Sequence, residues 1–240
     1  MAELKGKVAL ITGATRGLGA EIAKRYAQEG VNLILLSRNI AQLEALDDSL
    51  ASSGVNITLV PYDLKDYASL ENLARAIGDR YGRLDILVGN AAILGILGPI
   101  QQVPSSTWQE VIDINLTANL YLLKFFDPLL RNSSGGRAIF VTSEVAHDIS
   151  PYWSAYSVSK AALENMIMLY AHENLNSSLK VNLVDPGKIR TSMHAEACPG
   201  IDPLSIPSPE EFMDVFIYLA SEKCQLTGKI FKAQEFKNEN

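Results

Sequence analysis

Short runs of apolar residues, many of them β-branched, alternate along the chain with longer segments in which apolar residues recur at helical spacing. Continuous apolar runs of this length are typical of parallel strands that are buried on both faces. The predicted strands are residues 7–12, 32–37, 56–62, 84–88, 137–142, 180–184 and 229–232. These runs predict a parallel sheet of about seven strands.

The segments between the strands predict helices over residues 20–29, 40–52, 69–81, 108–130, 153–175 and 208 to about 220. Ser208 and Glu211 have the spacing of a capping box, and Pro209 occupies the first helical position, so we expect the last helix to begin there. Pro128 is expected to end or kink the apolar 108–130 helix. Strands that alternate with helices predict an α/β doubly wound parallel sheet with helices on both faces, formed by residues 1–240 as a single domain.

Composition narrows the class of protein. A chain of 240 residues that is 48% hydrophobic and 20% charged fits one large domain and does not fit a disordered or fibrous protein. The formal charge of -6 argues against nucleic acid or an anionic membrane as a partner. Met1 to Lys7 contain no apolar signal-peptide region, and no run approaches the roughly 18 apolar residues of a membrane span. Cys198 and Cys224 have neither metal-site nor disulfide-framework spacing, so a cytoplasmic protein without a metal site is expected.

A glycine-rich loop, Gly13-Ala14-Thr15-Arg16-Gly17-Leu18-Gly19, joins the first predicted strand to the first predicted helix. Glycines let the backbone approach a pyrophosphate, and a helix N-terminus supplies N–H donors and positive potential. The spacing is G-x-x-x-G-x-G, which differs from the G-x-G-x-x-G dinucleotide fingerprint. The loop is therefore compatible both with a dinucleotide site and with a simple turn.

Tyr156 and Lys160 are four residues apart, so on the predicted helix their side chains share one face. A lysine ammonium beside a phenol favours the phenolate and is expected to lower the tyrosine pKa from about 10. The result would be a proton donor that works near neutral pH. The same spacing also occurs by chance in many helices.

Together with further segments, these motifs resemble the short-chain dehydrogenase/reductase family over nearly the whole chain. The matching residues are Thr12 to Gly19, Asp63-Leu64, Asn90-Ala91-Ala92, Asn115, Ser143, Tyr156 with Lys160, and Pro186 to Thr191. The resemblance implies a Rossmann-type fold and an oxidoreductase that acts on CH–OH or C=O groups.

The resemblance also implies a catalytic set. Tyr156 would donate a proton to the carbonyl in reduction and act as base in oxidation, while Lys160 would lower its pKa and bind the nicotinamide ribose. Ser143 would hold and polarise the substrate oxygen where negative charge develops. Asn115 would hold a water that passes protons to Lys160, or would simply be bonded locally within its helix.

For the cofactor, the resemblance implies that Asp63 accepts from the adenine amino group, although Asp63 could equally cap the next helix. Asn90 would support the cofactor side of the sheet, and Ile189 and Thr191 would contact the carboxamide and pyrophosphate ends of the nicotinamide half. The residues implied to bind the cofactor are Gly13, Thr15, Arg16, Gly17, Leu18, Gly19, Ser37, Arg38, Asp63, Leu64, Asn90, Ala91, Tyr156, Lys160, Pro186, Gly187, Ile189 and Thr191.

The end of the second predicted strand favours NADP(H) over NAD(H). In the family, a carboxylate there binds the ribose 2′-hydroxyl, whereas an arginine accommodates a 2′-phosphate. Here the strand ends in Ser37 and Arg38, and Arg16 is the second cation within reach. The alternative is that both arginines are solvated surface charges.

The chain departs from the family pattern in three places. Gly89-Asn90-Ala91-Ala92 replaces the usual Asn-Asn-Ala-Gly, and Glu144 follows Ser143. We expect Glu144 to face solvent, and the alternative is that its charge tunes the pocket. The C-terminal segment Leu226 to Gln234 lacks the Val-Asp-Gly-Gly ending of many members. That difference weakens the alternative of 3-oxoacyl-[acyl-carrier-protein] reductase-like activity.

The substrate pocket is expected to form from residues 144–153 and from a loop over residues 192–207. His147, Tyr152 and Trp153 are candidate lining residues, although plain packing explains each equally well. The loop has no cluster of basic residues, so a fairly apolar ketone or aldehyde is expected as the carbonyl/alcohol substrate. The rival interpretations are a non-catalytic NADP-binding regulator and a scaffold protein that retains the fold.

Self-association as a dimer or tetramer is also expected. Residues 116–130 and the helix of Tyr156 carry more apolar surface than one sheet face can cover. In the family, the corresponding helices commonly pair across a two-fold axis.

Overall fold

The computed structural model describes residues 4–237; residues 1–3 and 238–240 of the predicted domain lie outside the described residues. The strands are β1 (Val8–Thr12), β2 (Asn32–Ser37), β3 (Ile57–Pro61), β4 (Ile86–Gly89), β5 (Arg137–Val141), β6 (Lys180–Asp185) and β7 (Ile230–Lys232). The helices are α1 (Gly17–Gln28), α2 (Ile40–Leu50), α3 (Tyr67–Tyr81), α4 (Ser105–Ile112), α5 (Ala118–Arg131), α6 (Ser154–Glu173), α7 (Ser192–Ala197) and α8 (Met213–Ala220).

The seven strands form one parallel sheet in the order β3-β2-β1-β4-β5-β6-β7. This arrangement confirms the predicted doubly wound sheet. The strand order reverses between β1 and β4, so the chain leaves the carboxyl ends of these two strands in opposite directions. In open sheets of this kind, ligands bind in the crevice at that reversal point.

Two apolar cores, one on each face of the sheet, explain why the strands read as continuous apolar runs. In β1, Ala9 and Ile11 point into the core shared with α1, α2 and α8, while Val8 and Leu10 point into the core shared with α3, α5 and α6. Side chains alternate between the faces of a strand, so helices on both faces require apolar residues at every position.

The predicted 108–130 helix differs most from the structure. It is divided into α4, a π-helical segment at Asp113–Thr117, and α5. Pro128 does not end the helix, which continues to Arg131. The π-helical segment could not be foreseen from periodicity, and such segments often occur at functional sites.

Local capping explains several boundaries. The capping box is confirmed, because the backbone N–H of Ser208 donates to Oε1 of Glu211 at 2.6 Å, although a short 3-10 turn precedes α8. The predicted loop 192–207 instead contains α7, whose N-terminus is capped by the Thr191 hydroxyl. Within residues 4–237, no helix combines the length and apolar character needed to cross a membrane.

Candidate active site

A cavity of about 740 Å³ lies at the carboxyl ends of the strands, around the reversal point between β1 and β4. It brings together the glycine loop, the ends of β2 and β5, the start of α6, and the segment that follows β6. Among the predicted catalytic residues, Ser143, Tyr156 and Lys160 line this cavity, whereas Asn115 does not. Every predicted cofactor residue except Gly19 lines it.

Gly19 has a packing role that the motif alone did not reveal. A Cβ at this position would lie 2.3 Å from the carbonyl oxygen of Gly13 and 2.6 Å from Nδ2 of Asn90. Gly19 therefore has a packing role, and its predicted cofactor contact stays a prediction. Its missing side chain allows the first turn of α1 to pack against the loop.

Thr12 and Asn90 hold the ends of β1 and β4 together. Oγ1 of Thr12 accepts the backbone N–H groups of Asn90 at 3.0 Å and Ala91 at 3.1 Å. Nδ2 of Asn90 donates to the carbonyl oxygens of Thr12 at 2.9 Å and Gly13 at 3.2 Å. These bonds determine the path of the glycine loop, and Thr12 is a supporting residue to which the sequence analysis assigned no role.

The end of β2 offers a polar surface to the cavity. The hydroxyls of Ser37 and Thr15 are 3.1 Å apart, and Thr15 also donates to Oε1 of Gln42 at 3.2 Å. Gln42, on α2, is a lining residue that the sequence analysis missed.

Asp63 lines the cavity and does not cap the helix that follows. Its Oδ1 accepts the N–H of Lys65 at 3.0 Å, whereas the N-cap of α3 is Asp66, which accepts from Ser69 at 3.2 Å. The capping alternative for Asp63 is therefore wrong.

The side chains of Arg16 and Arg38 are exposed and line the cavity, and neither guanidinium forms a hydrogen bond or ion pair with another residue between 4 and 237. The N-terminus of α1 has no side-chain cap, so its first N–H groups are available to a ligand. At Gly17, a Cβ would come within 3.2 Å of the Thr191 side chain, so glycine leaves room beside that terminus. The two unpaired guanidinium groups, the uncapped N–H groups of α1 and the space beside Gly17 together fit an anionic group such as a phosphate.

Tyr156 is only 8% exposed. Burial raises the pKa of its phenol to about 12; the hydroxyl of Ser143, which hydrogen-bonds the phenol, lowers it in part, and the charge of Asp185 raises it. The expectation of a lowered tyrosine pKa is therefore wrong for the chain by itself, because burial outweighs the stabilisation of the phenolate.

Lys160 is 2% exposed, and its Nζ donates to the carbonyl oxygen of Val141 at 2.8 Å. The same nitrogen lies 5.7 Å from the centroid of the Tyr156 ring. Burial lowers the pKa of Lys160 to about 8, while the negative charges of Glu164 and Asp185 oppose that decrease. The ammonium is thus held beside the tyrosine ring but is anchored to the backbone.

Asn115 lies in the π-helical segment and is fully buried. Its Oδ1 accepts the N–H of Ile93 at 2.9 Å, and its Nδ2 donates to the carbonyl of Ile93 at 2.9 Å and to Oγ of Ser159 at 3.0 Å. The side chain therefore ties the segment after β4 to α6, and the alternative of a local bond within its own helix is wrong. Both hydrogens of the side-chain amide are already donated to these partners. A water bound to Asn115 would therefore have to donate to one of its carbonyl oxygens.

The wall opposite the glycine loop is apolar. Leu94, Val145, Trp153, Met193 and Ala197 pack around Tyr156 and line the cavity. As expected, this wall comes from residues 144–153 and 192–207, with Leu94 as an addition from the segment after β4.

Three residues near this wall differ from expectation. His147 does not line the cavity, because its Nε2 lies 3.1 Å from Oε2 of Glu164. Tyr152 is also outside the lining and is largely exposed, with a φ of 75° that non-glycine residues rarely adopt. Glu144 does not face bulk solvent, since it is half-buried and lines the cavity.

The C-terminal segment supports the part of the site that follows β6. Nε2 of Gln234 donates to the carbonyl of Lys188 at 2.8 Å, and the N–H of Ala233 donates to the carbonyl of Asp185 at 2.8 Å. A Cβ on Gly187 would lie 2.8 Å from the Gln234 amide. The atypical C-terminal sequence thus packs directly against the segment that carries Ile189 and Thr191.

Metal-binding side chains do not cluster in the part of the chain that the structure describes, where no group of three or more His, Cys, Asp or Glu is arranged to hold an ion. Cys198 and Cys224 are both free thiols.

Comparisons with known proteins agree with this geometry. The family model described as short chain dehydrogenase matches residues 7–201. The oxidoreductase YciK of Escherichia coli is 34% identical over 235 residues, which cover 96% of this chain and 93% of YciK. The human dehydrogenase/reductase SDR family member 4 is 33% identical over 189 residues, which cover 79% of this chain and 68% of that protein.

Solved structures are similar to this chain over nearly its whole length. A short chain dehydrogenase from Pseudomonas syringae superposes with a TM-score of 0.94 at 34% identity, covering 97% of this chain and 96% of that one. A short chain dehydrogenase from Escherichia coli complexed with NADPH superposes with a TM-score of 0.94 at 33% identity, covering 98% and 99% of the two chains.

Proposed function

The chain belongs to the short-chain dehydrogenase/reductase family of oxidoreductases, and from this premise we propose that it is an NADPH-dependent reductase of a small, fairly apolar ketone or aldehyde. The observation that carries the proposal is the single cavity that joins the unpaired Arg16 and Arg38 to Ser143, Tyr156 and Lys160. One end of this cavity fits a phosphate, and the other end offers acid–base groups beside an apolar wall.

NADP(H) is the cofactor that the first end supports. Arg38 at the end of β2 offers a planar guanidinium to a 2′-phosphate, Ser37 offers a hydroxyl, and no carboxylate at the end of β2 repels the phosphate. Arg16 adds a second positive charge from the glycine loop. The related Escherichia coli structure that holds NADPH supports the same choice.

When bound, the reduced nicotinamide supplies the hydride. The hydroxyl of Ser143 donates to the substrate oxygen, on which negative charge develops. Tyr156, with its pKa raised to about 12, is fully protonated near neutral pH and donates its proton to that oxygen. The Lys160 ammonium beside the ring then stabilises the phenolate that remains.

The apolar wall selects the substrate. Leu94, Val145, Trp153 and Met193 lie on the side of the cavity where the carbonyl compound must approach Tyr156. Burying apolar groups against these side chains stabilises the complex by roughly 25 cal/mol per Å² of area removed from water.

The test is a turnover screen in which purified protein is offered ketones and aldehydes of increasing apolar character with NADPH or NADH. We expect NADPH consumption that increases with apolar character, and weaker turnover with NADH. Saturable NADPH binding without turnover of any carbonyl would indicate the regulator instead, and absence of nucleotide binding in a thermal-shift assay would indicate the scaffold.

We further propose a homodimer or homotetramer. Leu120 on α5 is 50% exposed, and Val158 and Leu169 on α6 are also exposed. Apolar side chains on these two helices are a suitable surface for a second copy of the chain. Light scattering at micromolar concentration tests the proposal, and a monomeric mass would contradict it.

A further inference from the structure

A buried carboxylate outside the predicted catalytic set lies behind Lys160. Glu164 is four residues after Lys160 on α6, so the two side chains share a helix face. The carboxylate side chain is 9% exposed and the lysine is buried, so their charges interact through a medium of low polarity. The negative charge of Glu164 opposes the loss of the Lys160 proton that burial favours.

Two contacts hold this carboxylate in place. The Thr142 hydroxyl, directly after β5, donates to Oε1 of Glu164 at 2.6 Å. Nε2 of His147 lies 3.1 Å from Oε2, and the imidazole is half exposed. Burial raises the pKa of Glu164, whereas Thr142 and His147 lower it, so both contacts favour the charged carboxylate.

Asp185 at the end of β6 is the other carboxylate whose charge acts on Lys160 and on Glu164. One of its oxygens accepts the N–H of Gly187 at 2.9 Å, so it also shapes the segment after β6. Glu164 has no such backbone contact, because its two oxygens bond only to the side chains of Thr142 and His147 among residues 4–237.

Other charged groups on the elements packed against α6 are occupied elsewhere. On α4, Glu110 pairs with Lys65 at 3.2 Å, and in the π-helical segment Asp113 accepts from Gln109 at 2.8 Å. The side chain of Glu144 lines the cavity and forms no bond to the side chains of this cluster.

We propose, building on the proposed function, that Glu164 is a positioning residue that keeps Lys160 charged behind Tyr156, held by His147 at the surface and by Thr142 at the end of β5. It touches neither substrate nor cofactor, because it does not line the cavity. Its effect on turnover passes through the lysine.

The first test is the pH profile of kcat/KM for carbonyl reduction by the wild type and Glu164→Gln. As pH rises, Lys160 loses its proton near its pKa of about 8, well before Tyr156 at about 12, so Lys160 sets the alkaline limb. Removing the carboxylate charge lowers the lysine pKa further, and we expect the alkaline limb to move to lower pH by about one unit.

Glu173→Gln is the matched control, because it makes the same change at an exposed position near the end of α6. Its profile should superimpose on that of the wild type. A Glu164→Gln profile that also superimposes on the wild type would overturn the proposal and leave Glu164 a structural residue.

The second test needs no turnover. Glu164→Gln should lower Tm in the wild type, because it leaves a buried ammonium with less compensating charge, and should lower it less in a Lys160→Met background. If the wild type reduces no carbonyl, the proposed function fails, and the comparison of Tm losses alone then tests the role of Glu164. Equal losses of Tm in the two backgrounds would then overturn the role of Glu164.

Discussion

The two halves of the cavity are built differently. The half around the glycine loop is formed by the ends of β1, β2 and β4, and four hydrogen bonds connect Thr12, Gly13, Asn90 and Ala91 across it. An added Cβ would lie 3.0 Å from a backbone atom of Ala91 at Gly13 and 2.3 Å from the carbonyl oxygen of Gly13 at Gly19. This half is therefore a rigid surface set by main-chain geometry.

The half opposite is formed by short elements that lie outside the sheet. It contains residues of the six-residue α7 and of a 3-10 turn at Glu144–Ala146. The segments that follow these two elements are exposed, as at Ile149 (97%) and Leu204 (80%). Segments with few buried contacts open at low free-energy cost, so this half can adapt its shape to a ligand.

From this comparison we expect nucleotide recognition to depend on the path of the glycine loop together with the side chains at the end of β2, and substrate recognition to depend on the side chains of the apolar wall. Substitutions in the first half should therefore act on the nucleotide and on stability, and substitutions in the second half on the carbonyl compound alone. Tyr156 lies between the two halves. Its substitution should therefore change turnover without strongly changing the binding of the nucleotide or of the carbonyl compound.

The largest effect is expected for Tyr156→Phe. The change removes the proton donor and keeps the ring that packs beside Trp153 at 6.0 Å between centroids. Positioned acid–base groups contribute about 10²–10⁴-fold, so turnover should fall by that factor while NADPH affinity in a fluorescence titration stays nearly constant. If more than about a tenth of the turnover remained, another group would have to be the acid.

Gly19→Ala should have the next largest effect. Its new methyl group would be 2.3 Å from a backbone oxygen, so the loop must move; we expect a loss of about 1–3 kcal/mol of folding stability, seen as a lower Tm, and weaker NADPH binding. Gly200→Ala, outside the cavity lining, is the control, because nothing lies within 4 Å of its added Cβ. Similar NADPH affinities for the two variants would contradict a rigid first half.

Arg38→Ala should weaken NADPH binding by at least about tenfold and leave NADH nearly unchanged. A charge-assisted hydrogen bond contributes about 1.5–3 kcal/mol, which corresponds to one to two decades of affinity. Arg190→Ala, which removes an exposed arginine outside the cavity lining, is the matched control. Equal losses for both nucleotides, or a wild type that prefers NADH, would show that the end of β2 does not select the cofactor.

Met193→Ala should have the smallest effect. Its thioether belongs to the apolar wall, so we expect KM for apolar carbonyls to rise roughly severalfold while NADPH affinity is unchanged. Leu204→Ala, at an exposed position outside the lining, should leave both quantities unchanged. A change in NADPH affinity for Met193→Ala would show that the two halves are coupled.

Much of the fold could be predicted from the sequence, because each strand and the glycine loop is indicated by residues that are close together in the chain. The apolar runs predicted all seven strands to within two residues at each end, since a strand covered on both faces needs apolar residues throughout. Asn32–Ser37 was predicted with the same bounds that the structure has. The glycine loop and Arg38 were placed correctly at the cavity because the carboxyl ends of parallel strands share one edge of the sheet.

Other features depend on segments that are distant in the chain, and only the tertiary structure decided them. The pKa of Tyr156 rises because the fold buries it and brings Asp185 near, which spacing within one helix cannot indicate. Asn115 bonds to Ile93, 22 residues earlier, from a π-helical turn that has no periodic signal. The contact of His147 with Glu164 forms because two elements meet behind Lys160. Local pattern determines which elements form, whereas burial and charge at a site depend on which elements meet there.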